Sequence, residues 1–122
     1  MQHVGVDIVE IPRIERVIKR WGNMFLERVF TPAELKLFNN TSSLAVRFAA
    51  KEAVLKALGA CDRGISWQDI EILAESNGKP LVNLTGKAKQ EADKSAISRM
   101  NISLSHSENY AVAFVVGETA SA

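Results

Sequence analysis

One cysteine in 122 residues, Cys61, means that no disulfide can form within the chain, which excludes a small stapled extracellular fold. A lone thiol fits a reducing compartment, and the cytoplasm is the expected location. The common nucleotide and zinc signatures are missing as well: there is no P-loop, no GxGxxG, no HExxH and no CxxC pair. No GxSxG elbow is present to raise a nucleophile. Ser105 and His106 are neighbours on a strand-like run and so point apart, which argues against a Ser–His hydrolase. No stretch approaches the roughly 18 to 20 apolar residues that a membrane-crossing helix needs. The opening Met1-Gln2-His3-Val4-Gly5-Val6-Asp7 lacks the basic leader and long apolar run of a signal peptide. An excess of either charge is also absent. At a formal net charge of +1, no nucleic-acid partner is expected from overall attraction, and a phosphate or acidic partner must meet a local basic patch.

What is present is a globular balance, 47% hydrophobic and 24% charged, enough at this length for one core but not two. Repeats, low-complexity tracts and linkers are lacking, so one domain over residues 1–122 is expected. Residues 3–11 alternate as a strand, with Val4, Val6 and Ile8 on one face and Gly5, Asp7 and Val9 on the other. Pro12 opens a helix in which Ile14, Val17, Ile18 and Trp21 recur at helical spacing, and Gly22 is its natural stop. Thr31-Pro32-Ala33-Glu34 reads as an N-cap, a first-turn proline and a capping-box glutamate, opening a short helix to about Phe38. After the polar break at residues 39–43, the spacing predicts a long helix from about Leu44 to Leu58, closed by Gly59. Strands are expected within Ile65–Glu75 and at Leu81–Leu84 around the hairpin signal Asn77-Gly78. A polar helix from about Gly86 to Ala96 then precedes strands at Asn101–Ser105 and Asn109–Val116. The order β-α-α-α-β-β-α-β-β predicts an α+β fold, a mostly antiparallel sheet packed against the long central helix.

The central helix, Arg47-Phe48-Ala49-Ala50-Lys51-Glu52-Ala53-Val54-Leu55-Lys56-Ala57-Leu58-Gly59, sets charge among small residues. At about 100° per residue, Val46, Ala49, Ala50, Ala53 and Ala57 form one tight stripe, with Phe48 and Leu55 nearly opposite. The helix should therefore pack on two sides. Glu52 and Lys56 share one edge between those stripes, and Arg47 and Lys51 share the other. The plain account of the first edge is an i,i+4 ion pair worth a few tenths of a kcal/mol, with Arg47 and Lys51 solvated. The chemical account joins Glu52 to Asp7, an acid that is out of place in a strand unless it has a partner. Two carboxylates suit Mg²⁺, which prefers one or two protein acids, several waters and substrate phosphate oxygens. Glu10, of opposite strand parity to Asp7, is a weaker third candidate. In Ser103-Leu104-Ser105-His106-Ser107, hydroxyls, imidazole and amides can bind a phosphate, or simply tie up a tight hairpin.

These residues together resemble the holo-acyl-carrier-protein synthases, the small bacterial type of 4′-phosphopantetheinyl transferase. The resemblance rests on Gly5–Ile11 with Arg13, Phe30-Thr31 with Glu34, and the Arg47–Gly59 block, which follows the family's RFAAKEAxxKAxG pattern. Gly64-Ile65-Ser66-Trp67, Asp69-Ile70-Glu71, Gly78-Lys79-Pro80 and Ser103–Tyr110 continue it in order. It implies a 4′-phosphopantetheinyl transferase-like fold and transfer of phosphopantetheine from coenzyme A to a serine of apo acyl carrier protein, releasing 3′,5′-ADP. It further implies that Asp7 and Glu52 hold Mg²⁺, and that Asp7, Glu52 and Lys56 serve catalysis. Arg47, Lys51, Lys56, Gly59 and His106 would contact coenzyme A, and Arg13 would face the carrier protein, with Arg16, Lys19 and Arg20 extending the patch. A homotrimer with active sites between subunits and no membrane partner completes the expectation. Because Arg47 and Lys56 lie on opposite helix edges, Arg47 is expected to serve the 3′-phosphate, a neighbouring site or the interface. Where the family has Thr-Gly after Gly59, this chain has Ala60-Cys61, from which altered coenzyme A affinity is expected. A small Mg²⁺-dependent nucleotide hydrolase and a non-catalytic binding module are the rival readings.

Overall fold

The alternation at the start of the chain becomes strand β1 (Gln2–Glu10) in the computed structural model, which describes residues 1–59 and 64–120. The Ala60-Cys61 departure lies outside the described residues. Four helices follow: α1 (Ile11–Trp21), α2 (Asn23–Val29), α3 (Pro32–Leu37) and α4 (Thr41–Leu58). A 3₁₀ turn at Trp67–Asp69 leads into the hairpin β2 (Ile70–Ala74) and β3 (Pro80–Leu84). Helix α5 (Gly86–Lys94) then precedes β4 (Ile97–His106) and β5 (Tyr110–Thr119). The long strands form an antiparallel sheet in the order β1-β5-β4, and β2 and β3 form a second, two-stranded one. The α+β architecture is as the sequence predicts.

Helix α2 is an addition to the expected order. Gly22, at φ 53°, ends α1 and is also the N-cap of α2, which has no side-chain cap, so a residue that reads as a stop doubles as a start. Helix α4 begins three residues early for a related reason. Asn40 accepts a hydrogen bond from the Ser43 amide at 2.9 Å, so the polar residues that looked like a break are a capped first turn. The Thr31–Glu34 capping box opens α3, and Gly59 caps α4 in the left-handed conformation, both as expected. The last hairpin is longer than expected: its ladder continues to Ile97 opposite Thr119, with Arg99 and Glu118 paired at 2.6 Å across that end.

The alanine stripe explains how α4 sits on the sheet. Ala49, Ala50, Ala53 and Ala57 are buried with Val54 against Ala113 and Val115 of β5 and Ile70 and Ile72 of β2. Small side chains allow close backbone approach, and at one point the approach is extreme. A Cβ added to Gly5 would lie 1.9 Å from the carbonyl oxygen of Ala53, so only glycine lets α4 cross β1 there. On its other side α4 places Phe48 in an aromatic group, 6.2 Å from Phe25 and 5.2 Å from Trp67 between ring centres. The helix is packed on two sides.

Among the described residues, nothing covers the face of the sheet turned away from α4. Val4, Val6, Ile8 and Phe114 are each between 45% and 62% exposed on it, which is unusual for large apolar residues grouped on one surface. Among the described residues, no helix is long and apolar enough to cross a membrane.

Candidate active site

The Gly5–Ala53 crossing sets the first site. It brings Asp7, two residues along β1 on the same face, beside Glu52 and Lys56 on α4. Lys56 Nζ donates to Asp7 Oδ1 at 3.0 Å and to the Val6 carbonyl at 3.0 Å. Glu52 stands close enough to feel both charges. Burial, and then the Asp7 charge, hold its carboxyl above the ordinary glutamate range, while Lys56 pulls the other way. These groups line a cleft of about 320 Å³ whose wall includes Arg13, Phe25 and Phe48. Here Lys56 reaches across to the strand acid, beyond the simple helix pair that was the plain account.

The donor set fits Mg²⁺. Two carboxylates face one cleft with mutual repulsion that a cation would relieve, and the cleft has room for water and phosphate oxygens. No cluster of three or more His, Cys, Asp or Glu able to hold a metal occurs among the described residues, so the protein's share would be these two acids. Glu10 lies exposed on the opposite strand face.

A second cleft, of about 340 Å³, lies elsewhere on the chain and shares no lining residue with the first. It brings together Arg47, Ser43, Ser103, Ser105 and His106 with Gly78 of the β2–β3 hairpin. The Arg47 guanidinium lies over the Phe38 ring, its Cζ 3.6 Å from the ring centre. Burial lowers its proton affinity, and Glu34 opposes that. Glu52 and Lys56 thus line one cleft and Arg47 alone, of the other edge, lines the second.

Lys51 requires a correction. It is fully buried, neither solvated nor facing either cleft. Its ammonium donates to Glu34 Oε1 at 2.8 Å and to the Trp67 and Ile70 carbonyls, so its three protons are all taken. The same Glu34 accepts the Thr31 amide at 2.9 Å and the Ile72 amide at 2.7 Å. Burial lowers the proton affinity of Lys51, and the charge and hydrogen bond of Glu34 oppose the shift. A coenzyme A contact through Lys51 therefore gives way to a structural lock joining α3, α4 and β2. Gly59 sits at the exposed end of α4, one turn beyond Lys56, with its amide donating to the Lys56 carbonyl at 3.1 Å. Arg13 is exposed on α1 and reaches the wall of the first cleft. Of its companions, Lys19 pairs with Glu15 at 3.2 Å and Arg20 lies 5.2 Å from the Trp21 ring centre.

Sequence reasoning missed Phe25 as a cleft wall and Phe38 as the platform under Arg47. It also read Glu34 only as a helix cap. Its second role depends on a lysine 17 residues away, which local spacing does not connect.

The sequence pattern of the 4′-phosphopantetheinyl transferase superfamily matches residues 3–115. Over 119 residues the chain is 48% identical to the holo-[acyl-carrier-protein] synthase of Dehalococcoides mccartyi strain CBDB1, covering 97% of this chain and 99% of that one. Its counterpart from Herpetosiphon aurantiacus is 46% identical over 121 residues, covering 93% of this chain and 95% of that one. The structure superposes with a TM-score of 0.86 on the Helicobacter pylori holo-[acyl-carrier-protein] synthase, solved in complex with coenzyme A, at 38% identity over 94% of this chain and 99% of that one. The chain belongs to the 4′-phosphopantetheinyl transferase superfamily, and within it to the holo-acyl-carrier-protein synthases.

Proposed function

We propose that this enzyme transfers 4′-phosphopantetheine from coenzyme A to a serine hydroxyl of apo acyl carrier protein, with Mg²⁺, and releases 3′,5′-ADP. The observation that carries the reading is the convergence of Asp7, Glu52 and Lys56 in one cleft at the β1–α4 crossing. Pure binding of a polyphosphate has no need of two acids beside it. Asp7 and Glu52 would hold Mg²⁺, which when bound supplies Lewis-acid charge neutralisation at the pyrophosphate. Lys56 spans from β1 into the cleft, where its ammonium offsets the negative charge that grows on the departing 3′,5′-ADP. The serine oxygen bonds to the phosphorus bearing pantetheine, and the bond to the bridging oxygen breaks with its electron pair leaving on 3′,5′-ADP. The serine proton needs an acceptor in the cleft, and Glu52, whose carboxylate lines it, would be that acceptor.

The Arg47–His106 cleft would take the nucleotide half of coenzyme A, with Arg47 on the 3′-phosphate. The separation of the two clefts on one chain, and the exposed apolar sheet face, support coenzyme A bridging neighbouring copies, which the family resemblance makes a homotrimer. Arg13 at the cleft wall would meet the acidic carrier. The reading carries a cytoplasmic location with it.

The decisive assay incubates the enzyme with coenzyme A, Mg²⁺ and apo carrier, then weighs the carrier. A gain of one phosphopantetheine is expected; hydrolysis of coenzyme A without that gain, or neither, would overturn the proposal. Bridging is tested by mixing Glu52→Gln chains with Arg47→Ala chains under exchange conditions, at coenzyme A well below the KM of the Arg47→Ala enzyme. Activity in the mixture should exceed that of either parent, and its failure to do so would confine each substrate to one chain.

A further inference from the structure

Arg47 brings a half-buried positive charge to the second cleft; Glu34 acts on it through space, but no carboxylate among the described residues lies within ion-pair distance. Its Nε is buried without a hydrogen-bond partner. Buried cations ordinarily have an anionic partner, so the arrangement is costly unless a ligand completes it. What holds the group in the meantime is the face of Phe38, 3.6 Å from Cζ to the ring centre, well inside the roughly 6 Å reach of a cation–π contact. Phe38 is itself tied down. It ends α3, with its amide donating to the Glu34 carbonyl at 2.9 Å, and Glu34 is locked by Lys51. An aromatic face attracts the guanidinium but accepts none of its in-plane N–H bonds, which leaves a planar donor fork to meet an anion from the cleft side.

We infer that Phe38 is a positioning residue for donor selection. It presses the Arg47 guanidinium into one orientation, so that its fork meets the 3′-phosphate and the enzyme discriminates coenzyme A from 3′-dephospho-coenzyme A. The inference rests on the reading of this cleft as the nucleotide site. Without the ring, Arg47 must lose side-chain freedom on binding, and the penalty falls only on donors carrying that phosphate.

The test measures kcat and KM for both donors, with Mg²⁺ and apo carrier, in wild type, Phe38→Leu, Phe38→Met, Phe38→Tyr and Arg47→Ala. Folding is checked by circular dichroism, and Phe38→Met, whose unbranched side chain adapts to the gap but lacks the ring face, stands in if Phe38→Leu fails to fold. Loss of the ring should raise KM for coenzyme A about fivefold, with kcat and the dephospho-donor KM within about twofold of wild type. Phe38→Tyr should behave as wild type. An equal rise for both donors, a fall in kcat, no change at all, or a Phe38→Tyr that matches Phe38→Leu would each overturn the inference. Arg47→Ala separates the two layers. If it leaves both KM values unchanged, the nucleotide-cleft reading fails and this inference with it. If it selectively raises KM for coenzyme A while Phe38→Leu does not, only the role of the ring fails.

Discussion

Lys51 and Lys56 stand five residues apart on α4, in the same alanine-rich run, and do opposite jobs. Lys51 is sealed, with one carboxylate and two carbonyls meeting its three protons. Lys56 is about half exposed and links Asp7 to the wall of an open cleft. Burying an ammonium is tolerable only when partners meet every proton, and a site that complete has nothing left to offer a substrate. An ammonium at the edge of solvent has weaker ties and can turn its charge toward a phosphate. For a cation beside an active site, full satisfaction is therefore the mark of structure, and partial exposure beside an acid the mark of chemistry.

Substitution of each lysine by methionine is the strongest way to break this contrast. Lys51→Met strips the ammonium from a buried carboxylate, and a loss of about 3–5 kcal/mol in stability is expected from urea denaturation at matched protein concentration. The KM for coenzyme A of whatever remains folded should stay within about threefold of wild type. A stable Lys51→Met protein with weakened coenzyme A affinity would restore the contact that its burial argues against. Lys56→Met should show the reverse. Its kcat is expected to fall about 10²–10³-fold, the size seen when one charge-stabilising donor is removed, while stability changes by less than about 1 kcal/mol. Equal effects on stability would erase the distinction.

The sequence made half of this contrast legible. Helical periodicity puts Glu52 and Lys56 on one edge, and strand parity puts Asp7 on the face of Gly5, so only the crossing of α4 over β1 was needed to join them. Periodicity gives angles around an axis but not which element covers each angle. What covers Lys51 is Glu34, in a helix 17 residues upstream, together with carbonyls of the turn and strand that follow Trp67. Phe38 was equally silent, because nothing in a lone aromatic after a short helix shows that a guanidinium will lie on it. The early start of α4 was hidden by polar residues that serve caps and breaks alike.

Arg13 offers a third kind of cation, exposed on the cleft wall and without an ion pair among the described residues. If it meets the acidic carrier, Arg13→Glu should raise KM for apo carrier about fivefold and flatten its dependence on salt, leaving KM for coenzyme A unchanged. The measurement is KM for carrier across a series of NaCl concentrations. An unaltered salt profile would remove Arg13 from the docking surface.

The finest probe of the comparison is the titration of Glu52, because it registers Lys56 directly and should not register Lys51. Its carboxyl is raised by burial first and by the Asp7 charge second, against the pull of Lys56. The folded chain therefore holds the Glu52 proton more tightly than the unfolded chain does. The resulting contribution to stability is complete below the unfolded value and is lost as pH rises through the window up to the raised folded one. In carboxyl NMR titrations without added metal, Asp7→Asn should bring Glu52 down but leave it above the ordinary range, since burial is the larger cause. Lys56→Met should move it further up, and Lys51→Met, in any protein that stays folded, should leave it in place. A Glu52 that followed Lys51 and ignored Lys56 would mean that the two lysines had been assigned the wrong way round.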